Sequence, residues 1–241
     1  MKPTPDELPI VLTATVIPNV TGAAVADPQT RLSEYLRVAQ FCQQFAPVFF
    51  LENSSYPLEL HPEFAGSPRL QVRRFAPSAS PARGKGFQEF EMLDAWLASE
   101  PRPPARWLKL TGRYHLLNLA AVLAECRREK KSSLLIDQLC RRRLARTSLF
   151  CIRTEFYLAR IRNLYRQCDD RTGDYIENVL FRELQKPPVR QVRMFKTQPH
   201  FRAQAGSTGL AYPSGNLQWF IKQCLRRINR LVDERRLHYS R

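Results

Sequence analysis

The chain has 241 residues and a formal net charge of +16, from 38 lysines and arginines against 22 acidic residues. Hydrophobic residues make up 44% and charged residues 25%, ordinary globular values that exclude wholesale disorder. The length suits one domain with a small appendage, and the charge predicts an anionic partner: nucleic acid, an acidic membrane face or a phosphorylated small molecule.

No apolar run approaches the ~18 residues of a bilayer span. Leu8 to Val20 is apolar-leaning and Ala24-Val25-Ala26 has the look of a cleavage site, but Asp6 and Glu7 stand where a signal peptide needs positive charge. Pro9, Pro18 and Asn19 also interrupt the stretch, which reads as a mature strand and turn. Six cysteines occur without any CxxC pair and the histidines are isolated, so no zinc spacing is present. The expectation is reduced thiols in a cytoplasmic protein.

Ile10–Val16 is β-branched and predicts a buried strand. Asp27-Pro28 suits a helix start, and apolar spacing predicts a helix from Arg31 to Phe45. Further strands are expected at Pro47–Leu51, Leu70–Phe75 and Trp107–Leu110, with another at Leu134–Ile136. Helices are expected over Phe87–Ala98, Leu116–Cys126 and Glu155–Tyr165, while Thr147–Ile152 has no clear pattern. Asp169 to Glu177 reads as an acidic turn whose first carboxylates cap a helix. From Asn216 onward an apolar stripe with flanking arginines predicts a basic amphipathic helix that suits an anionic membrane. Alternating strands and helices argue for an α/β fold with a mostly parallel central sheet flanked by helices. The division is a domain over 1–215 and the terminal helix over 216–241.

In such sheets ligands bind beyond the carboxyl ends of the strands. Polar residues collect there. Thr13 and Thr15 end the first strand, and Glu52, Asn53 and Ser54 follow the second. Gly84-Lys85-Gly86 precedes a helix, where free N–H groups and a cation suit an anion; this is not a Walker loop. Glu89 and Glu91 follow in the first turns, where carboxylates also complement the helix dipole, and Glu91 is read as structural. Lys109-Leu110-Thr111-Gly112-Arg113 delivers a guanidinium suited to phosphate. Glu177 is a candidate general base. Gly206-Ser207-Thr208-Gly209 is a hydroxyl-rich loop.

The series PIVLTATVIP, PVFFLENSSY, GKGFQEFEMLDAWL, WLKLTGRYHLLNL and DDRTGDYIENVLFREL resembles small bacterial glycosyltransferases of the GT-A type, over residues 9–212. These enzymes act in surface polysaccharide and lipopolysaccharide assembly. The resemblance implies a Rossmann-like catalytic domain. It also implies a nucleotide-sugar donor held by Thr13, Thr15, Glu52, Asn53, Ser54, Lys85, Gly86, Lys109, Thr111 and Gly112. Arg113 and Glu177 would serve in catalysis. Many such enzymes place an Asp-x-Asp metal motif where this chain has Thr111-Gly112-Arg113. A Mn or Mg ion is therefore not expected, and no metal ligands are assigned. The acceptor would be a glycan or lipid-linked, at the inner face of the cytoplasmic membrane. The rival reading is a nucleic-acid-binding protein, supported by the charge, Arg141–Arg143 and the Arg/Tyr/Phe mixture at 153–166. A non-catalytic accessory protein is a third.

Overall fold

A computed structural model describes residues 7–19, 27–64, 67–187, 191–202, 219–221, 223, 224 and 226. Four strands run parallel: β1 (Ile10–Ala14), β2 (Val48–Glu52), β3 (Leu70–Arg74) and β4 (Arg106–Thr111). A two-residue strand, β5 (His115–Leu116), follows. β7 (Leu144–Arg153) is antiparallel both to β4 and to β6 (Leu134–Leu139), and β8 (Val192–Arg193) lies parallel to β6. The sheet order is β3-β2-β1-β4-β7-β6-β8, with only β7 reversed. β5 pairs separately with β9 (Phe201–Arg202). The expected α/β architecture with a mostly parallel sheet is therefore the observed one.

The apolar runs form the interior of this sheet because parallel strands are covered on both faces. Ile10, Leu12 and Ala14 of β1 enter one core, where α1 (Pro28–Gln43) and α3 (Leu119–Arg128) pack. Val11 enters the opposite core, beneath α2 (Lys85–Ser99) and α5 (Ile176–Leu184). Asp27 starts α1 as expected: its carboxylate accepts the Thr30 N–H at 2.7 Å, and Pro28 occupies the first turn.

Three local expectations change. Residues 155–165 are not one helix. A short helical turn, α4 (Thr154–Phe156), passes into a π-helical turn at Tyr157–Ile161 and then a 3₁₀ turn at Leu164–Gln167. Asn163, between the last two, is left-handed with φ 67°. The break lets Asp94 of α2 accept from the Tyr157 hydroxyl at 2.8 Å and from the Asn163 N–H at 2.7 Å. Second, the patternless stretch at 147–152 belongs to β7. Third, the acidic turn does not cap α5, whose N-cap Tyr175 makes no side-chain cap bond. Asp169 instead accepts from its neighbour Arg171, while Asp170 accepts the Lys85 N–H at the start of α2.

The loop Gly206–Gly209 lies outside the described residues, as does most of the terminal helix. The described part of that segment is docked on the domain. Trp219 donates to the Gln198 carbonyl at 3.0 Å and stacks on His200 with centroids 5.1 Å apart. Arg226 is buried against the Phe195 carbonyl at 2.8 Å and the carboxylate of Asp137 on β6.

Candidate active site

The carboxyl ends of β1 and β4, the starts of α2 and α5 and the β6–β7 hairpin enclose a cleft of about 480 Å³. β4 approaches β1 closely through Gly112. Its N–H donates to the Thr13 carbonyl at 2.9 Å, and a Cβ would lie 2.7 Å from that oxygen and 3.0 Å from the Tyr35 ring. Any side chain there would push the strand end outward. Glycine brings the next residue, Arg113, onto the cleft wall, where Nε donates to Glu34 of α1 at 2.5 Å.

Arg31, in the first turn of α1, folds back over the end of β1. Its Nε and Nη2 donate to the Thr15 carbonyl at 2.8 and 2.6 Å, and Nη2 also reaches the Tyr35 hydroxyl at 3.0 Å. Lys85 enters from the start of α2. Burial lowers its pKa, and the nearby positive charges of Arg31 and Arg113 push it further down, while Asp170 opposes them. All three cations line the cleft.

Gly84 and Gly86 have structural reasons to be glycine. Gly84 has φ 106°, and a Cβ would lie 1.9 Å from the Asp170 carboxylate. Asp170 thus occupies the helix start that the sequence suggested for an anion. A Cβ on Gly86 would lie 2.3 Å from a methyl of Ile176, so this glycine seats the start of α2 against α5.

The cleft floor is a charged network. Lys109 is fully buried, and its ammonium meets Glu89 at 2.6 Å, the Thr111 hydroxyl at 2.9 Å and the Thr147 carbonyl at 2.8 Å. Three acceptors match its three N–H bonds. Glu89 also accepts from the Thr13 hydroxyl at 2.5 Å. On the far side the Thr147 hydroxyl donates to Glu177 at 3.0 Å. Burial raises the Glu177 pKa and the neighbouring Glu89 adds to this, while Lys109 opposes. Thr147 owes its position to an irregularity: pairing of β6 with β7 jumps from Ile136–Phe150 to Gln138–Ala145. Residues 146–149 of β7 bulge past the single residue Asp137, and Arg146, Thr147 and Ser148 emerge on the cleft wall. Bulges of this kind often re-aim side chains beside active sites.

Of the residues expected from the sequence, Thr13, Thr15, Lys85, Gly86, Thr111, Arg113 and Glu177 line this cleft. Glu52, Asn53, Ser54, Lys109 and Gly112 do not. Glu52 is buried and turns inward, accepting from the Val16 N–H at 3.2 Å and the Ser54 N–H at 2.9 Å. Asn53 accepts from the Thr15 hydroxyl at 2.6 Å, and the Ser54 hydroxyl accepts from the Ile17 N–H at 3.1 Å. These three shape the turn beneath the cleft. Lys109 lies below the floor with all its protons engaged. Arg31, Tyr35, Glu89 and Thr147 were missed as site residues. Arg31 and Tyr35 did carry a signal: two hydrogen-bonding side chains one turn apart on an otherwise buried helix face.

The metal site of the resembled enzymes does not fit these residues. Thr111-Gly112-Arg113 supplies no carboxylate, and the two carboxylates on the cleft wall, Glu89 and Glu177, lie within the field of the Lys109 ammonium. Among the described residues no group of three His, Cys, Asp or Glu side chains is placed to hold a metal ion. Nor is any helix there long and apolar enough to cross a membrane.

No protein-family model matches the chain, and no curated protein matches it in sequence. Solved structures do match. The glycosyltransferase GlyE of Streptococcus pneumoniae overlays with a TM-score of 0.50 at 8% identity, over 80% of this chain and 46% of that one. The chain thus spans about half the length of GlyE. The galactosyltransferase LgtC, solved with donor and acceptor sugar analogues, gives 0.49 at 10% identity over 79% and 74%. A 4-diphosphocytidyl-2C-methyl-D-erythritol synthase from Anaerococcus prevotii gives 0.48 at 8% over 93% and 100%. The likeness to GlyE is one of fold: a GT-A-like, Rossmann-like sheet.

Proposed function

We propose that the protein is a glycosyltransferase that moves a sugar from a nucleotide-sugar donor to a glycan or lipid-linked acceptor in surface polysaccharide assembly. The observation that carries this reading is the cleft, which gathers Arg31, Lys85, Arg113 and the carboxylate of Glu177 in one lining. Glycosyl transfer breaks the bond between the anomeric carbon and the donor phosphate, and negative charge grows on the leaving diphosphate. Fixed cations in a cleft stabilise that charge without reorganising. The acceptor oxygen forms the new bond to the anomeric carbon, and its proton passes to Glu177, a base whose raised pKa suits the task. Lys109 and Glu89 hold Thr13, Thr111 and Thr147 beneath the reacting groups.

Thermal-shift titration with UDP-, GDP-, CMP- and dTDP-sugars tests the reading, run with EDTA and with Mn²⁺. One nucleotide class should stabilise the protein in EDTA. Arg113→Ala and Lys85→Ala should each weaken that donor about tenfold to a hundredfold, from ~1.5–3 kcal/mol per charged hydrogen bond. No response to any donor would defeat the reading. A response that requires Mn²⁺ would defeat its metal-independent part. The apolar stripe of residues 216–241 and their Lys/Arg other than Arg226, which is buried against Asp137, support work at an anionic membrane face in the cytoplasm.

A further inference from the structure

The β6–β7 hairpin carries an arginine cluster at the rim of the cleft, to which the donor reading gives no role. Its tip, Cys140–Arg142, turns through Arg143, which is left-handed at φ 52°. Arg141, Arg142, Arg143 and, just beyond, Arg146 are all exposed. None of the four side chains makes a hydrogen bond or ion pair among the described residues, although arginines elsewhere in the fold pair with Glu100, Glu59, Glu183, Asp169 and Asp174. Four guanidiniums within six residues make the hairpin strongly positive.

The placement of the cluster gives it a meaning. β6 runs in the same direction as β4, so the hairpin tip lies at the edge of the sheet that opens onto the cleft. Leu139, Leu144 and Arg146 of the hairpin line the cleft wall. The tip is also anchored to α5: the Asn178 side chain donates to the Arg143 carbonyl at 3.2 Å. Asn178 is the residue after Glu177, so the hairpin tip is tied to the same helix start that carries the proposed base.

We propose that this hairpin is an anion site for the acceptor, and that the acceptor carries phosphate. The inference rests on the glycosyltransferase reading for the word acceptor, but the site itself can be tested without turnover. Phosphate suits guanidinium clusters through paired N–H donors. Base-stacking on nucleic acid is less well served, since the exposed aromatic rings among the described residues are Tyr175 and Phe220, and neither is on the hairpin.

The test compares the full-length protein with Arg141→Gln/Arg142→Gln, and Arg146 is left in place because it lines the cleft wall. Arg143 is left in place for its left-handed backbone. These positions are exposed, so the variant should keep its melting temperature. Calorimetric titrations use inorganic pyrophosphate, farnesyl diphosphate, phosphatidylglycerol vesicles and a short single-stranded RNA. The expected result is an affinity for pyrophosphate and farnesyl diphosphate about fivefold lower in the variant, from two screened surface charges, with an unchanged thermal response to nucleotide sugars. Hairpin-dependent binding of farnesyl diphosphate alone would support a lipid-borne phosphate, and of both compounds a requirement for phosphate only. Equal affinity in the two proteins would overturn the proposal. So would hairpin-dependent binding of RNA or of the vesicles that is tighter than that of the small phosphates, because the site would then belong to nucleic acid or membrane. If no nucleotide sugar stabilises the protein yet the phosphates still bind through the hairpin, the glycosyltransferase reading fails and the anion site stands.

Discussion

Lys109→Met removes the ammonium from the cleft floor while keeping most of its stem. Three acceptors lose their donor: Glu89, the Thr111 hydroxyl and the Thr147 carbonyl. Breaking a buried pair from one side typically costs ~3–5 kcal/mol, because the remaining charge stays uncompensated. Here the Glu89 side chain is 19% exposed and keeps the Thr13 hydroxyl, so the lower end applies, about 3 kcal/mol. For a chain of this size each kcal/mol moves the melting temperature by ~2–4 °C, so Lys109→Met should melt about 6–12 °C lower. The partner substitution supplies the decisive comparison. In Lys109→Met/Glu89→Gln no charge is left behind, and the double variant should be more stable than the sum of the two single losses predicts. Calorimetric melting of wild type, both single variants and the double variant measures this. A Lys109→Met protein melting within about 2 °C of wild type would refute the reasoning. So would strictly additive losses, because Lys109 and Glu89 would then not be coupled.

Two further outcomes follow from the same site. Glu177 has a raised pKa in the folded protein, so the native state holds its proton more tightly than the unfolded chain. Its stabilising contribution is full at acid pH and is lost as pH rises from the ordinary glutamate range through the folded pKa. Glu177→Gln should therefore flatten the fall in urea stability across that window and at neutral pH be at least as stable as wild type, while turnover drops and donor binding holds; a variant less stable at neutral pH would refute this. Gly112→Ala places a methyl 2.7 Å from the Thr13 carbonyl and should cost ~1–3 kcal/mol with weakened donor binding, checked by urea unfolding and donor titration; wild-type values in both would show that the strand end yields freely.

The central strands were readable because a parallel sheet covered on both faces demands largely apolar runs, and 10–14, 48–51 and 107–110 supply them, broken only by Thr13 and Lys109. β7 was not readable, since its Arg and Thr residues lie in a bulge whose existence depends on β6. The expectation that polar groups gather at strand ends placed Thr13, Lys85, Thr111, Arg113 and Glu177 around one cleft. It misjudged Lys109, although the sequence held the clue: a lysine between Leu108 and Leu110 in a buried strand points to a sheet face, not to the strand's end. Glu89 was read as a complement to the helix dipole because nothing local reveals its bond to Thr13, 76 residues earlier. The Gly-Lys-Gly start of α2 looked like an anion site, and its anion proves to be the chain's own Asp170. Local chemistry was thus legible, whereas partners drawn from distant segments were not.

The docking of Arg226 bears on how the molecule is made. A ribosome delivers the sheet strand by strand, and N-terminal units fold first. Asp137, on β6, has to wait for a guanidinium encoded 89 residues later. Through that interval its carboxylate has to remain hydrated, so the edge formed by β6 and β8 is the last part of the sheet to be consolidated. A chain released early, anywhere before residue 226, would hold nearly the whole cleft and still lack the counter-charge that closes the sheet beside it. Truncations meant to isolate the terminal helix would therefore report on folding as well as on whatever that helix binds.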